Sequence, residues 1–323
     1  MVMTKRRAPK IPQPDADSDA TAAIEAERAA ALLAAVSRQF DKLGASPLDP
    51  GLYLVSTPIG NLSDISIRAL SVLASADRVY CEDTRHSRKL FSAFDMGRKL
   101  ETYHDFSGEA DRERILDALR EGKAVALISD AGTPLIADPG YKLVRDAVAE
   151  GIRVFPVPGA SAILSALVAS GLPTDRFFFG GFLPPKEGAR LEALETMRAV
   201  PGTLVFYETP SRIGAALAAI ETVYPDRMVA VARELTKLHE TIAKGTAREL
   251  AAAFEIEPPQ GEIVLLIAPG EAAAATEADV EIALRAALKT ATLKEAVEDV
   301  SKGLGVARKL AYNLALKIKG EAS

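Results

Sequence analysis

Residues 127–140 read LISDAGTPLIADPG, and they join the end of an apolar run to a loop of small, polar and proline residues. The run itself, residues 124–129, is the strongest strand pattern in the chain. A twelve-residue loop of this composition in a compact α/β unit usually holds a ligand, although a plain connection is the alternative. In open α/β sheets, ligands bind at the carboxyl ends of the strands. This stretch therefore predicts an α/β fold with a binding loop.

Seven further apolar runs alternate with amphipathic helical patterns along the chain. They cover residues 52–57, 78–81, 153–157, 177–182, 203–207, 228–233 and 262–268. Such alternation is typical of α/β layers around a parallel or mixed sheet. Eight strands fit two small α/β domains better than one large sheet, and glycines and prolines cluster over residues 158–175. We therefore predict α/β domains at residues 48–158 and 159–272.

The N-terminal segment, residues 1–47, differs from this body. Residues 1–20 are rich in Pro, Lys, Arg and Asp and poor in large apolar side chains, which predicts a disordered tail. The alanine-rich residues 21–43 predict a helix that ends at Gly44.

The C-terminal segment, residues 276–323, is basic although the chain is acidic. The net charge of −5 comes from 39 Lys and Arg against 44 Asp and Glu. Residues 285–319 nevertheless carry eight basic and three acidic residues, which leaves −10 for the rest. Three short helical patterns without a strand, with Gly303 and Gly305 before the last, predict a helix–turn–helix-like module. We expect this basic module to bind nucleic acid, although it could also pack on the body.

Composition excludes several classes of protein. One cysteine, Cys81, and three histidines provide neither a disulfide nor a multi-thiolate metal site, so we expect no metal. The chain has no apolar stretch long enough for a membrane span and no signal-peptide pattern, so we expect a cytoplasmic protein. The glycine patterns of P-loop and Rossmann nucleotide sites are missing, as are the GxSxG and HExxH motifs.

Two more strand ends lead into glycine- and proline-containing turns. Residues 56–64 contain Pro58, Gly60 and Asn61, and residues 157–162 contain Pro158 and Gly159. Each turn opens a helix, where free backbone amides attract anionic groups. Ordinary helix capping is the alternative for both turns.

Three charged clusters also follow predicted strands, at residues 81–89, 207–212 and 233–240. The first holds Asp83, Arg85, His86, Arg88 and Lys89 within seven residues. Its basic residues could clamp a polyanion, or the cluster could be the solvated start of a helix. Three such clusters exceed what a scaffold needs, which indicates a functional surface.

Eight blocks together identify a resemblance. They are LVSTPIGNLSDIS (54–66), CEDTRHSRKL (81–90), LISDAGTPLIADPG (127–140), PVPGASA (156–162), FFFGGFLP (177–184), FYETPSRI (206–213), ARELTKLHE (232–240) and GEIVLLI (261–267). In this order they resemble the 16S rRNA 2′-O-ribose methyltransferases of the tetrapyrrole-methylase-like family. The resemblance covers about residues 51–319 and leaves residues 1–47 outside it.

The resemblance implies S-adenosylmethionine (AdoMet) bound in a cleft between two α/β domains of a homodimer. It also implies methylation of cytidine 1402 of 16S rRNA within the small ribosomal subunit. The expected cofactor-binding residues are Pro58, Gly60, Asp130, Ala131, Gly132, Thr133, Pro134, Pro158, Gly159, Ala160, Ser161, Phe182, Leu183 and Ala268. The first turn departs from the Gly-Pro-Gly-Asp type of porphyrinoid methylases, which disfavours a tetrapyrrole substrate.

Methyl transfer to a hydroxyl also needs a proton acceptor and contacts to the RNA. Asp83, Glu208 and Glu234 are the candidate bases, and the sequence does not choose among them. The candidate RNA-binding residues are Asn61, Arg85, His86, Arg88, Lys186, Arg212, Lys302, Arg308 and Lys309. The alternatives are a methylase of the same fold with another substrate and a non-catalytic ribosome-assembly factor.

Overall fold

The chain folds around two five-stranded sheets, one in each of two units. The computed structural model describes residues 16–44, 47–104, 108–270 and 277–321, with side chains from residue 25 to residue 320. The N-terminal unit extends to Ser161, and the C-terminal unit begins at Ala162. The α/β class with a C-terminal helical segment is confirmed.

The sheet of the N-terminal unit is entirely parallel, in the order β3-β2-β4-β1-β5. Its strands are β1 (Gly51–Val55), β2 (Arg78–Cys81), β3 (Leu100–Thr102), β4 (Ala124–Ile128) and β5 (Val154–Val157). All five residues of β4 are buried, as expected for a central strand that is covered on both faces.

Helices cover both faces of this sheet. They are α2 (Ile67–Ser75), α3 (Thr84–Ala93), α4 (Glu109–Arg120) and α5 (Tyr141–Ala149), with a 3₁₀ turn at Leu62–Asp64, while the largely exposed α1 (Ala16–Gly44) packs against α2. Leu73 of α2 and Phe91 of α3 belong to one apolar cluster, and Ile115 of α4 and Leu143 of α5 belong to another. Because the two clusters also contain strand residues, they pack the helices against the sheet and so fix the positions of the strand ends.

The C-terminal unit has a mixed sheet in the order β6-β7-β10-β8-β9, in which only β6 and β7 are parallel neighbours. Its strands are β6 (Phe177–Phe182), β7 (Thr203–Glu208), β8 (Met228–Arg233), β9 (Thr241–Thr246) and β10 (Ile263–Ile267). Its helices are α6 (Ala162–Ala169), α7 (Glu187–Thr196), α8 (Ile213–Val223) and α9 (Ala247–Ile256). Phe206 and Leu217 lie in its main apolar cluster.

Three helices complete the chain: α10 (Glu277–Ala287), α11 (Leu293–Leu304) and α12 (Arg308–Glu321). Val280, Val297 and Ala315 share an apolar cluster made by these helices. A capping box between Thr292 and Glu295 starts α11, and Gly305 ends it at φ 64°. The segment thus has a small core of its own, with Lys302, Arg308 and Lys309 exposed.

Several predicted elements need correction. Residues 16–20, predicted to be disordered, are the first turns of α1, since the alanine-rich composition that favours a helix already begins there. Residues 1–15 of the predicted tail lie outside the described residues. Strands β3 and β9 were not predicted, because three residues (LET) and an alternation broken by Lys244 and Gly245 give no apolar run. Both lie at sheet edges, where less burial is needed.

Within the described part of the chain, no helix is both long enough and apolar enough to span a membrane.

Candidate functional site

The carboxyl ends of the five parallel strands lie along one edge of the N-terminal sheet. β1 leads into Ser56 and Thr57, β2 into Asp83, β4 into Ser129 and Asp130, and β5 into Pro158 and Gly159. Because all five strands run in the same direction, residues far apart in sequence come together at this edge. Of the predicted cofactor-binding residues, those from Pro58 to Ser161 follow these strand ends.

The loop after β4 is fastened to the loop after β1. Thr57 and Gly132 exchange two backbone hydrogen bonds, of 2.9 and 3.1 Å between nitrogen and oxygen. The Ser129 hydroxyl donates to the Gly132 carbonyl over 3.0 Å, and the Ser56 and Thr133 hydroxyls are 3.1 Å apart. These bonds present the backbone of residues 131–134 at the sheet edge in one defined conformation.

The same loop contains four residues with left-handed backbone angles: Gly132 (φ 84°), Leu135 (φ 72°), Ala137 (φ 62°) and Gly140 (φ 129°). Such angles are costly for Leu and Ala, at about 1–3 kcal/mol per strained residue. Strained residues persist where the surrounding structure holds them, and they concentrate at binding sites. The strain supports the interpretation of residues 129–140 as a binding loop rather than a plain connection.

The loop after β5 approaches the end of β1 so closely that only glycine fits. A Cβ atom on Gly159 would lie 2.8 Å from the Ser56 Cβ, well inside van der Waals contact. The Thr133 hydroxyl donates to the Ala160 carbonyl over 3.4 Å, which joins the β4 and β5 loops. The loops after β1, β4 and β5 therefore form one cradle of backbone and small side chains.

Asp83 lies at the same edge and caps helix α3. One of its carboxylate oxygens accepts the Arg85 amide over 2.8 Å, and its own amide donates to the Asp130 carboxylate over 3.1 Å. The Arg85 guanidinium holds the Asp83 carboxylate with two bonds of 2.9 and 3.2 Å. The hydrogen bonds from Arg85 lower the pKa of Asp83 to about 2. Sequence reasoning missed the link to Asp130, which depends on β2 and β4 being neighbours.

This lowered pKa predicts a pH-dependent contribution to stability. The folded-state pKa of Asp83 is below the value of about 3.9 in an unfolded chain, so ionised Asp83 stabilises the fold above about pH 4. That contribution is lost as the pH falls toward the folded-state value. Asn also caps helices, so Asp83→Asn removes the charge alone. We expect the difference between wild type and Asp83→Asn in urea unfolding free energy to shrink between pH 5 and pH 2. A difference that stays constant would contradict this expectation.

Glu208, at the end of β7 in the C-terminal unit, is enclosed. Its side chain has no exposed surface, and one oxygen lies 3.4 Å from the Arg212 Nε. The same oxygen accepts the Thr209 amide over 2.9 Å. Arg212 also donates to the Leu183 carbonyl. Neither residue, as placed, offers its charged atoms freely to a substrate.

Glu234 is held by its own loop. It accepts hydrogen bonds from the Lys237 ammonium over 2.9 Å and from the Glu262 amide over 3.1 Å. The bond from Lys237 lowers the pKa of Glu234. A Cβ atom on Gly261 would lie 2.0 Å from a Glu234 oxygen, so the loop is built around this carboxylate. These contacts give Glu234 a structural role in joining β8 to β10.

The remaining predicted residues occupy different settings. In the C-terminal unit, Phe182 is exposed and Leu183 is buried, and the amide of Ala268, just after β10, donates to the carbonyl of Met228 at the start of β8. Lys186 is exposed immediately before α7. In the N-terminal unit, Asn61 caps the 3₁₀ turn, and Arg85, His86 and Arg88 are exposed on α3.

Arg190 was missed. It is only 5% exposed and donates to the carbonyls of Pro184 and Pro185 over 3.4 Å. A signal existed, because Arg190 stands four positions before the buried Leu194 and so shares its side of α7.

No group of three or more His, Cys, Asp or Glu side chains lies close enough to hold a metal ion among the described residues.

Comparison with known proteins gives the family. The profile of the tetrapyrrole (corrin/porphyrin) methylases matches residues 51–251, which include the N-terminal sheet and strands β6 to β9 of the C-terminal sheet. The chain belongs to this family. Tetrapyrrole methylase family members are methyltransferases that use AdoMet, and this applies to the present chain. The cradle formed by the loops after β1, β4 and β5 fits a cofactor that approaches the backbone. A Cβ atom on Gly159 would obstruct this cradle.

Relatives cover most of the chain. One from Mesorhizobium japonicum is 46% identical over 280 residues, covering 86% of this chain and 95% of its own. One from Erythrobacter litoralis is 50% identical over 275 residues, covering 85% of this chain and 98% of its own. Both are named ribosomal RNA small subunit methyltransferase I.

Solved structures of more distant proteins share the fold. A diphthine synthase has a TM-score of 0.53 at 17% identity, covering 67% of this chain and 89% of its own. A cobalamin biosynthetic enzyme, cobalt precorrin-4 methyltransferase, has a TM-score of 0.51 at 20% identity, covering 67% and 94%. At these identities the likeness concerns the fold of the tetrapyrrole methylase family and not the substrate.

Proposed function

We propose that this methyltransferase transfers the methyl group of AdoMet to the ribose 2′-oxygen of cytidine 1402 in 16S rRNA of the small ribosomal subunit. The proposal is carried by the two relatives named for small-subunit rRNA, which match at 46% and 50% identity over nearly their full lengths. The 2′-oxygen and the nucleotide come from the resemblance of the eight sequence blocks.

The proposed cofactor site is the cradle after β1, β4 and β5. Residues 131–134 and 159–161 supply backbone groups, and Pro58, Gly60, Asp130 and Pro158 complete the set. From the C-terminal unit we assign Phe182, Leu183 and Ala268 to the same cofactor by the resemblance. AdoMet supplies a methyl group on a sulfonium, so the protein mainly has to position the reactants.

Substitution of Gly159, which lies in the cradle, should weaken cofactor binding. We expect Gly159→Val to weaken AdoMet binding at least about 10-fold, because its side chain would displace the β1 end at Ser56. Isothermal titration calorimetry measures the affinity, and circular dichroism reports the fold. Gly188→Ala is the matched control, since a Cβ at Gly188 meets nothing within 4 Å and alanine favours the helix there. Unchanged affinity in Gly159→Val would contradict the placement of the cofactor.

Of the three candidate bases, we propose Asp83. Glu208 is enclosed, and Glu234 is held by Lys237 and the Glu262 amide, whereas Asp83 is 35% exposed at the sheet edge that carries the cradle. The Asp83 carboxylate would accept the proton of the 2′-hydroxyl as the methyl group leaves the sulfonium, which becomes a neutral thioether, and bonds to the 2′-oxygen. A phosphate that draws the exposed Arg85 away from Asp83 restores the basicity that the ion pair suppresses.

The proposed RNA contacts begin with Arg85, His86 and Arg88, which are exposed on the helix that Asp83 caps. Asn61 and Lys186 are exposed beside other strand ends, whereas Arg212 is left out of the proposed contacts because it pairs with the enclosed Glu208 and donates to the Leu183 carbonyl. Lys302, Arg308 and Lys309 supply positive charge from the C-terminal helices. Phosphate attraction depends on the cations brought into contact, so this module compensates for an acidic body.

An acceptor panel tests the function. The tritium-labelled methyl group of AdoMet should be incorporated into small ribosomal subunits, but not into large subunits or a precorrin. Incorporation into the precorrin would favour a tetrapyrrole methylase. AdoMet binding without incorporation into any acceptor would favour an assembly factor.

A further inference from the structure

Strand β6 ends in a bend that leads directly into a turn at residues 183–186. A Cβ atom on Gly180 would lie 2.3 Å from the Phe206 ring, and Gly181 has φ 68°. The pairing of β6 with β7 shifts between Phe179 and Phe182. The strand therefore bends at its two glycines, which leaves Phe182 exposed and turns Leu183 inward.

Two arginines hold three consecutive carbonyls of this turn. Arg212 donates to the carbonyl of Leu183, and Arg190 donates to those of Pro184 and Pro185 over 3.4 Å each. The two prolines have no amide hydrogen, so the turn is rich in acceptors and poor in donors. The arginines supply the donors that the backbone lacks.

The side chains that hold this turn carry charges that are removed from solvent, and burying a charge costs free energy. Arg190 is 5% exposed, and the Glu208 side chain, which pairs with Arg212, is not exposed at all. One Glu208 oxygen and the Nε atoms of both arginines are buried without a hydrogen-bond partner. Burying the guanidinium of Arg190 and the carboxylate of Glu208 beside the partly exposed Arg212 costs free energy, which apolar side chains of similar shape would not incur. Its cost calls for a role in fixing geometry.

We propose that Glu208, Arg212 and Arg190 are positioning residues, which fix the turn 183–186 and thereby hold Phe182 and Lys186 in place for methyl transfer. Glu208 orients Arg212, Arg212 and Arg190 hold the turn, and the turn presents Lys186 at the start of α7. This inference rests on the proposed function for its catalytic readout. It also replaces the roles in proton transfer and RNA contact that the sequence indicated for Glu208 and Arg212.

Conservative variants test the cluster. Arg190→Lys and Arg212→Lys keep the charge but lose the guanidinium fork, and Glu208→Gln keeps the shape but loses the charge. We expect each to lower kcat on small subunits about 10–100-fold, since a misplacement of about 1 Å can cost that much. KM for the subunits and the thermal midpoint should change little by comparison. Arg248→Gln, an exposed ion-pair partner of Glu221 in the same unit, should retain wild-type kcat.

A second readout does not need a substrate. Hydrogen–deuterium exchange of peptides covering residues 183–190 should be faster in Arg190→Lys and Arg212→Lys than in the wild type, with no change in Arg248→Gln. Wild-type exchange and wild-type kcat in both lysine variants would overturn the proposal. A loss confined to Glu208→Gln would overturn it too and return Glu208 to proton transfer. If the wild-type chain does not methylate subunits, the proposed function fails, and the exchange data alone decide on the cluster.

Discussion

Asp83→Asn should lower the rate of methyl transfer by about 10²–10⁴-fold, the contribution of a general base, and leave AdoMet affinity unchanged. The carboxylate lies at the sheet edge beside Asp130, whose own carboxylate accepts the Asp83 amide. Asparagine preserves the cap on the Arg85 amide, so helix α3 should remain formed. The variant therefore removes the proton acceptor and its ion pair with Arg85 while it keeps the helix cap.

Single-turnover transfer from labelled AdoMet to small subunits measures this effect. The matched control is Asp95→Asn, an exposed aspartate just beyond the other end of the same helix. Its φ of 50° is tolerated by asparagine, so the fold should be kept and the rate should equal that of the wild type. A wild-type rate in Asp83→Asn, with a large loss in Glu234→Gln, would move proton transfer to the C-terminal unit.

Neutralising Lys302, Arg308 and Lys309 together should weaken RNA binding and flatten its salt dependence. Each phosphate contact adds about 0.7–0.9 to the slope of log affinity against log salt, so the triple glutamine variant should lose roughly 2 to 3 in slope. Relative to 1 M salt, this corresponds to a loss of about 100- to 1,000-fold near 0.1 M. The three side chains are exposed, so their removal should spare the apolar cluster of α10, α11 and α12.

The control carries the same change in net charge elsewhere. Arg114, Lys123 and Arg145 are surface residues of the N-terminal unit, each ion-paired to a nearby acid. Their triple glutamine variant should keep the RNA affinity and slope of the wild type. Filter binding or fluorescence anisotropy across a salt series distinguishes the two variants. Equal losses in both would mean that net charge matters and that the C-terminal module makes no specific contact.

The sheet edge of the N-terminal unit was predictable because its signals are local. The apolar residues 124–129 indicate a buried strand, and small residues after it indicate a backbone that approaches a ligand. Strands β3 and β9 lacked such signals, because edge strands need little burial. The periodicity of the C-terminal segment predicted helices over residues 276–290, 292–302 and 306–319, and the observed helices begin and end within three residues of these bounds.

The chemistry of the charged residues was less predictable. The sequence pattern indicates that Asp83, Glu208 and Glu234 each lie at or just after the end of a strand, but it does not indicate which of them is enclosed. Glu234 is held because Gly261 leaves room for it, and Glu208 because Arg212 lies four residues later. Arg190 contacts a turn that precedes it only after β6 has bent at two glycines. These outcomes depend on strand pairing and on packing, which local patterns do not encode.

The most direct measurement is the position of the methyl group in the product. Small subunits from cells that lack this protein would be incubated with AdoMet and the chain, and nuclease fragments of the 16S rRNA would be analysed by mass spectrometry. We expect one 2′-O-methylcytidine at position 1402, formed by the wild type and by Asp95→Asn and nearly absent with Asp83→Asn. A methyl group on a base or on another nucleotide, or no methyl group at all while AdoMet binds, would contradict it.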